Sequence, residues 1–268
     1  MAGRHTKTGI TGKTWNVYTY TYGDGMRAIV TFDVDLAQEA SHTGLEHAFR
    51  VILFIPLGYV LVNGLPLSEA LPVLRQFETG MLERLDDAGV ACRLVGTLTY
   101  GGMREFVFQA EDADAFLAGL GDLDAPMKNY RVEVQQLEGW TFFDEKVRPS
   151  AAYWQQIFDR TMIEQLMREG SDPLAVHRLE HSFSGDNNAL TRLSHDLQQL
   201  GLREVSSGEQ ILVLGSQTHL TLEDVFALTS RLLEYSDQSG VHYEGWNASV
   251  IRKRGKQKTE KEEQQQQE

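Results

Sequence analysis

The stretch LAVHRLEHSFSGDNNALTRLSHDLQQLGLREVSSGEQILVLGS, residues 174–216, decides the fold class. Its first ten residues put Ala175, His177, Leu179, His181 and Phe183 on every second position, the period of a half-buried strand. Asp186 then stands where a helix N-cap belongs, and NNALTRLSHDLQQLG (187–201) carries a helical pattern closed by Gly201. LREVSS and EQILVLGS read as two further strands. Working outward, LTLEDVFALTSRLLEYSDQSG (220–240) is a helix capped by Thr221 and ended by Gly240, and VHYEGWNASV (241–250) is a last strand. Before the stretch, residues 153–169 form an amphipathic helix through Trp154, Ile157, Phe158, Met162, Ile163 and Leu166, stopped at Gly170-Ser171-Asp172-Pro173. From residue 174 the order is β-α-β-β-α-β, the split βαβ or ferredoxin-like pattern.

The same order occurs upstream. FRVILFIP (49–56) is a strand, LSEALPVLRQFETGMLERLDDAG (67–89) a helix with Ser68 as N-cap, Pro72 in its first turn and Gly89 at C′. VACRLVGTLTY (90–100) and MREFVFQA (103–110) form a hairpin across Gly101-Gly102. A short helix, EDADAFLAGL (111–120), leads to the strand NYRVEVQQL (129–137). Ahead of them TWNVYTYTY (14–22) and MRAIVTFDVDL (26–36) form an extra hairpin about Gly23-Asp24-Gly25. The expected fold class is α+β, with two ferredoxin-like domains. They span 14–148 and 149–252, divided near Val147-Arg148-Pro149-Ser150. Residues 1–13 are expected to be a mobile arm, and 253–268, with no apolar residue, a disordered tail. At an offset of 112 residues Ala88-Gly89-Val90 meets Leu200-Gly201-Leu202, and both last strands are expected to end in Glu-Gly-Trp, at 138–140 and 244–246. FRVILFIP and ILVL (211–214) are apolar on both faces, which predicts cover on both sides, the second by the other domain or a second copy of the chain.

The chain has 268 residues, 41% hydrophobic and 24% charged, a composition that excludes wholesale disorder. No apolar run approaches the roughly eighteen residues a membrane helix requires, and MAGRHTKTG has no apolar core of a secretory signal. One cysteine, Cys92, excludes an internal disulfide and any cysteine-based zinc cluster, so a cytoplasmic location is expected. The net charge of −13 divides into −7 for residues 1–149, −7 for 150–252 and +1 for the tail. Two acidic bodies disfavour tight nucleic-acid binding and favour a basic protein partner.

A search for chemistry finds little. His177 and His181 are four apart, but on a strand that separates them by roughly 13 Å, too far for one ion. Cys92 lies in an apolar strand, where cysteine is usually an inert hydrophobe. There is no Gly-x-Ser-x-Gly and no nucleotide-binding glycine loop. Asp33 and Asp35 share a strand face, about 6.6 Å apart, a spacing open to acid-base or cation chemistry, but solvated charge at a strand end is the expected reading. Asp112/Asp114 and Glu223/Asp224 open helices, where acids complement the dipole. No catalytic set, cofactor or metal site is expected.

Glu169-Gly170-Ser171-Asp172-Pro173, Leu179-Glu180-His181, Leu200-Gly201 and Tyr243-Glu244-Gly245-Trp246 together resemble the RraB family, the regulators of ribonuclease activity B, over residues 153–250. Glu169 and Glu244 stand where that pattern has Asp, and the mixed Gln-rich tail differs from the family's acidic one. Trp15, Ala28-Ile29-Val30, the long apolar helix and Glu138-Gly139-Trp140 are similar to the domain-of-unknown-function family numbered six-nine-five. The first resemblance implies a non-enzymatic inhibitor of an endoribonuclease of the ribonuclease E type, bound through that enzyme or its scaffold region. It nominates Asp172, Glu180, His181, Tyr243, Glu244 and Trp246 as partner-binding positions. The alternative is a general adaptor or immunity-type module with another target.

Overall fold

The computed structural model describes residues 14–21, 25–39 and 44–252. The arm 1–13, Gly23 and Asp24 of the hairpin turn, and the tail 253–268 lie outside the described residues. The chain is a mixed α+β protein with two antiparallel sheets, and it divides into two compact units, 1–153 and 154–268.

The first unit holds β1 (Trp15–Thr21), β2 (Arg27–Asp33), α1 (Val34–Gln38), β3 (His47–Phe54), α2 (Leu71–Asp87), β4 (Cys92–Tyr100), β5 (Met103–Ala110), α3 (Ala113–Leu120) and β6 (Arg131–Glu138). Its sheet runs β1-β2-β4-β5-β3-β6, so the N-terminal hairpin extends the sheet by pairing β2 with β4. One face packs against α2 and α3 through Phe49, Val51, Leu74, Phe106, Phe108 and Phe116, all essentially buried. The β4–β5 turn works because Gly101 and Gly102 both take positive φ, +53° and +76°, which a side chain would resist.

Two local expectations are corrected here. Ser68 does not cap α2: residues 68–70 form a 3₁₀ turn, the α-helix starts at Leu71 with Ala70 before it, and the Ser68 hydroxyl bonds Glu69 instead. Asp33 and Asp35 do not share a strand face. The strand ends at Asp33, whose carboxylate accepts from the Leu36 amide as the N-cap of α1 and takes the Arg93 guanidinium at 2.6 Å. An aspartate that can satisfy a helix start ends a strand there, and Asp35 falls inside the helix.

The second unit holds most of α4 (Ala151–Arg168), then β7 (Val176–Ser184), α5 (Asn187–Gln199), β8 (Arg203–Gly208), β9 (Ile211–His219), α6 (Leu222–Ser239) and β10 (His242–Ala248). The sheet order is β10-β7-β9-β8, all antiparallel. Asp186 and Thr221 cap α5 and α6 through their side chains, and Gly240 ends α6 in the left-handed region. Leu193, Leu197, Leu212, Leu214 and Leu232 make one core with Phe183, and Ile163, Leu166, Leu179, Val225 and Trp246 a second. Both lie on the face that the helices cover. In ILVL, Leu212 and Leu214 are buried against the helices, Val213 is half-buried, and Ile211 is 55% exposed.

Candidate functional site

The covered face of the second sheet contains polar groups that a core made only of leucines would lack. On β7 the side chains of His177, Leu179, His181 and Phe183 are fully buried, because the alternation turns them all toward the helices. Between α4, α6 and β10 sits Asp159, also without exposed surface. Its Oδ1 accepts from Trp246 Nε1 at 2.8 Å and Gln155 Nε2 at 2.7 Å, and its Oδ2 from the Thr229 hydroxyl at 2.6 Å. Burial pushes the Asp159 carboxyl above its usual range, opposed by these three hydrogen bonds. Beside it His181 Nδ1 lies 2.8 Å from the Tyr243 hydroxyl, and Nε2 2.8 Å from the Ser216 hydroxyl. Burial lowers the His181 ring to about 4, so it is neutral at physiological pH. The Tyr243 phenol is pushed up by burial and by the Asp159 carboxylate, so it keeps its proton and can donate to Nδ1. The arrangement satisfies buried polar atoms with partners from five elements of the fold.

One more family-pattern segment is tied into the fold by hydrogen bonds. Gly170 ends α4 at φ +93°, with the Ser171 amide donating back to the Leu166 carbonyl. The buried Ser171 hydroxyl lies 3.2 Å from His177 Nε2 and accepts from the Ile251 amide. Asp172 donates its amide to the Ile251 carbonyl, and its carboxylate accepts from the Leu174 amide, which fixes the turn into β7. The segment therefore clasps the end of α4 to the chain just after β10. His177 and His181 have their own partners, and no cluster of three metal-ligating side chains occurs among the described residues.

Glu244-Gly245-Trp246 also differs from the expectation. The run lies inside β10, where Gly245 forms a bulge at φ +105° and a Cβ would meet the Phe158 ring at 3.2 Å. Glu138 ends β6, and Gly139-Trp140 leave the sheet, so the two Glu-Gly-Trp runs are not equivalent strand ends.

What remains exposed is the opposite face of the same sheet. Val176, Arg178 and Glu180 project from β7, Ile211 from β9, and His242, Glu244 and Asn247 from β10. Glu180 pairs with Arg178 at 3.6 Å, and Glu244 lies 3.8 Å from His242 and accepts from the Ser184 hydroxyl. Val176 and Ile211 are more than half exposed, at opposite ends of the β7–β9 ladder, and the charged Arg178 and Glu180 lie between them. Of the six nominated residues, the structure thus gathers His181, Tyr243 and Trp246 in the core, puts Glu180 and Glu244 on the open face, and places Asp172 in the clasp.

Sequence reasoning missed Asp159, Thr229, Ser216 and Gln155. A signal existed: Asp159 falls on the buried stripe of α4 with Ile163 and Leu166, and Thr229 on that of α6 with Val225 and Leu232.

Comparison with known proteins places names on both parts of the chain. The model described as "Regulator of ribonuclease activity B" matches residues 156–248, and that described as "Family of unknown function (DUF695)" matches 13–145. The regulator of ribonuclease activity B of Proteus mirabilis is 31% identical over 97 residues, 32% of this chain and 68% of its own. The protein of the same name from Escherichia coli K12 is 28% identical, over 32% of this chain and 70% of its own. A crystal structure of an unknown protein from Galdieria sulphuraria aligns with 76% of this chain and 99% of its own at 10% identity and a TM-score of 0.20, which carries nothing for the fold.

Proposed function

The chain belongs to the regulator of ribonuclease activity B family through residues 156–248, and from that premise we propose a non-enzymatic regulator that binds and inhibits an endoribonuclease of the ribonuclease E type. The observation that carries the reading is the position of the family match: it covers the unit whose sheet has helices on one face and exposed side chains on the other. The connectivity β7-α5-β8-β9-α6-β10 with order β10-β7-β9-β8 supports taking this unit as ferredoxin-like, within a domain of 149–252. The corresponding reading for 14–148 is a ferredoxin-like domain with an added hairpin. Contact runs through the open face, with Glu180 and Glu244 meeting basic groups of the ribonuclease or its scaffold region. His181, Tyr243 and Trp246 act from beneath by holding that face in shape. The setting is cytoplasmic, with no bound cofactor.

The test is a cleavage assay with a ribonuclease of the E type, with and without the purified chain, beside a gel shift on the RNA alone. Inhibition without an RNA shift is the expected result, weakening from about 50 to about 200 mM salt but less steeply than multi-phosphate binding does. Glu180→Arg with Glu244→Arg should weaken inhibition while leaving the melting temperature in place. An RNA shift with no inhibition would overturn the reading.

A further inference from the structure

The first unit contains a cleft that the proposed regulation does not use. It has a volume of ≈ 600 Å³ and lies on the sheet face away from α2 and α3, bordered by the segment 142–153. That is the size range of small-molecule sites. Its floor is the buried pair Tyr18 and Leu98, and its walls are the half-buried rings of Tyr20, Tyr100, Phe142 and Tyr153. These rings are pre-arranged. Tyr18 and Tyr153 stack with centroids 4.5 Å apart and planes 19° from parallel, and Tyr20 continues the stack at 6.4 Å from Tyr18. The Tyr18 hydroxyl donates to the Val147 carbonyl at 3.2 Å, and the Tyr100 hydroxyl to Glu105 at 2.7 Å. Arg50 is held by the same Glu105 and lies 5.1 Å above the centre of the Phe142 ring, which fixes that wall.

The charges at the rim narrow the ligand. Arg148 is committed to Asp144 and to the carbonyls of Ala37 and Glu39. Lys146 and Glu145 are exposed at the mouth, and among the described residues neither forms an ion pair. One cation and one carboxylate beside a stack of rings suit a planar ring that is not itself highly charged. A polyphosphate chain would meet Asp144 and Glu145 on a protein of net charge −13. Purine bases present ring acceptors that a lysine can meet, and guanine adds N–H donors that a carboxylate accepts. Stacking on tyrosine supplies the remaining affinity.

We infer that this cleft binds a purine nucleoside, stacked on the accessible rings of Tyr20 and Tyr153, which the buried Tyr18 holds in place, with its base edge between Lys146 and Glu145. The ligand is the free nucleoside rather than a base within an RNA strand. The experiment titrates the full chain with guanosine, adenosine, cytidine, ribose and a short single-stranded RNA, read by saturation-transfer NMR and calorimetry. Guanosine should bind saturably with transfer to its base protons, and ribose should not bind. Tyr20→Ala should weaken guanosine about tenfold. Should that variant fold poorly, the exposed change Glu145→Lys leaves the ring stack intact and should weaken guanosine several-fold, with adenosine less affected. No saturable nucleoside binding, binding equal to that of ribose, binding untouched by either variant, or binding of the RNA alone would each overturn the assignment.

Discussion

Acid should weaken the second unit through His181 before any other histidine explanation is required. The ring has no exposed surface and sits between the Tyr243 and Ser216 hydroxyls, each 2.8 Å away. An unfolded histidine takes up a proton near 6.5, whereas burial holds this one down to about 4. Between those values the unfolded chain binds a proton that the folded chain refuses. The stability this contributes is fully present above about 6.5 and is lost as pH falls toward about 4. At about 1.4 kcal/mol per pH unit, the whole window is worth about 3 kcal/mol. Protonation also makes both ring nitrogens donors, so Tyr243 can no longer donate to Nδ1. The assay is urea denaturation of the full chain from about pH 7 to about pH 4.5, beside His181→Gln, which keeps a donor and an acceptor but does not titrate. The variant should be less stable at neutral pH and much flatter with pH. A direct NMR titration of the His181 ring should show no protonation near 6.5. If the ring titrates there, or if wild type and variant lose stability in parallel, the buried-histidine reasoning is wrong.

Asp159→Asn should respond with the opposite sign. The carboxyl is raised by burial, so its contribution is fully present below the unfolded value and lost as pH rises through the folded one. Wild type should therefore gain on the variant as urea curves are taken toward acid. Trp246→Phe removes the indole donor to Asp159 along with some ring volume, and should lower stability by about 2–4 kcal/mol in the same assay. Gly245→Ala combines a φ of +105° with contact to Phe158, and should cost about 1–3 kcal/mol, read as a shifted urea midpoint.

The elements were legible because their signals are local. The alternation of His177 to Phe183, the caps at Asp186 and Thr221, and the glycines at 101–102, 201 and 240 each act within a few residues, and each reappears in place, with Ala175 just ahead of the strand. The failures occur where one residue had two local uses. Asp33 could continue a strand or cap a helix, and the capping bond plus Arg93 decided for the cap. Gly245 could end a strand or bulge within it, and the pairing of Trp246 with His181 across to β7 kept β10 going. The core polar network was least legible, since its members come from α4, β7, β9, α6 and β10. Only tertiary packing brings Asp159 to Trp246, 87 positions away.

That network changes what the family resemblance can say about a target. Ser171, His177, His181, Tyr243 and Trp246 have buried hydrogen bonds, and a buried polar atom that loses its partner costs about 1–3 kcal/mol. Such positions are held by the fold whatever the protein binds. The exposed positions are under no such demand: Arg178 and Glu180 pair with each other at 3.6 Å on an open face, where an ion pair contributes about 0–1 kcal/mol. A change at Glu180 or Glu244 can therefore alter the partner at little cost to the fold, whereas a change at His181 or Trp246 alters the fold first. The buried motif reports the scaffold, and under the proposed function the target is set by the residues that project from the other side of β7, β9 and β10.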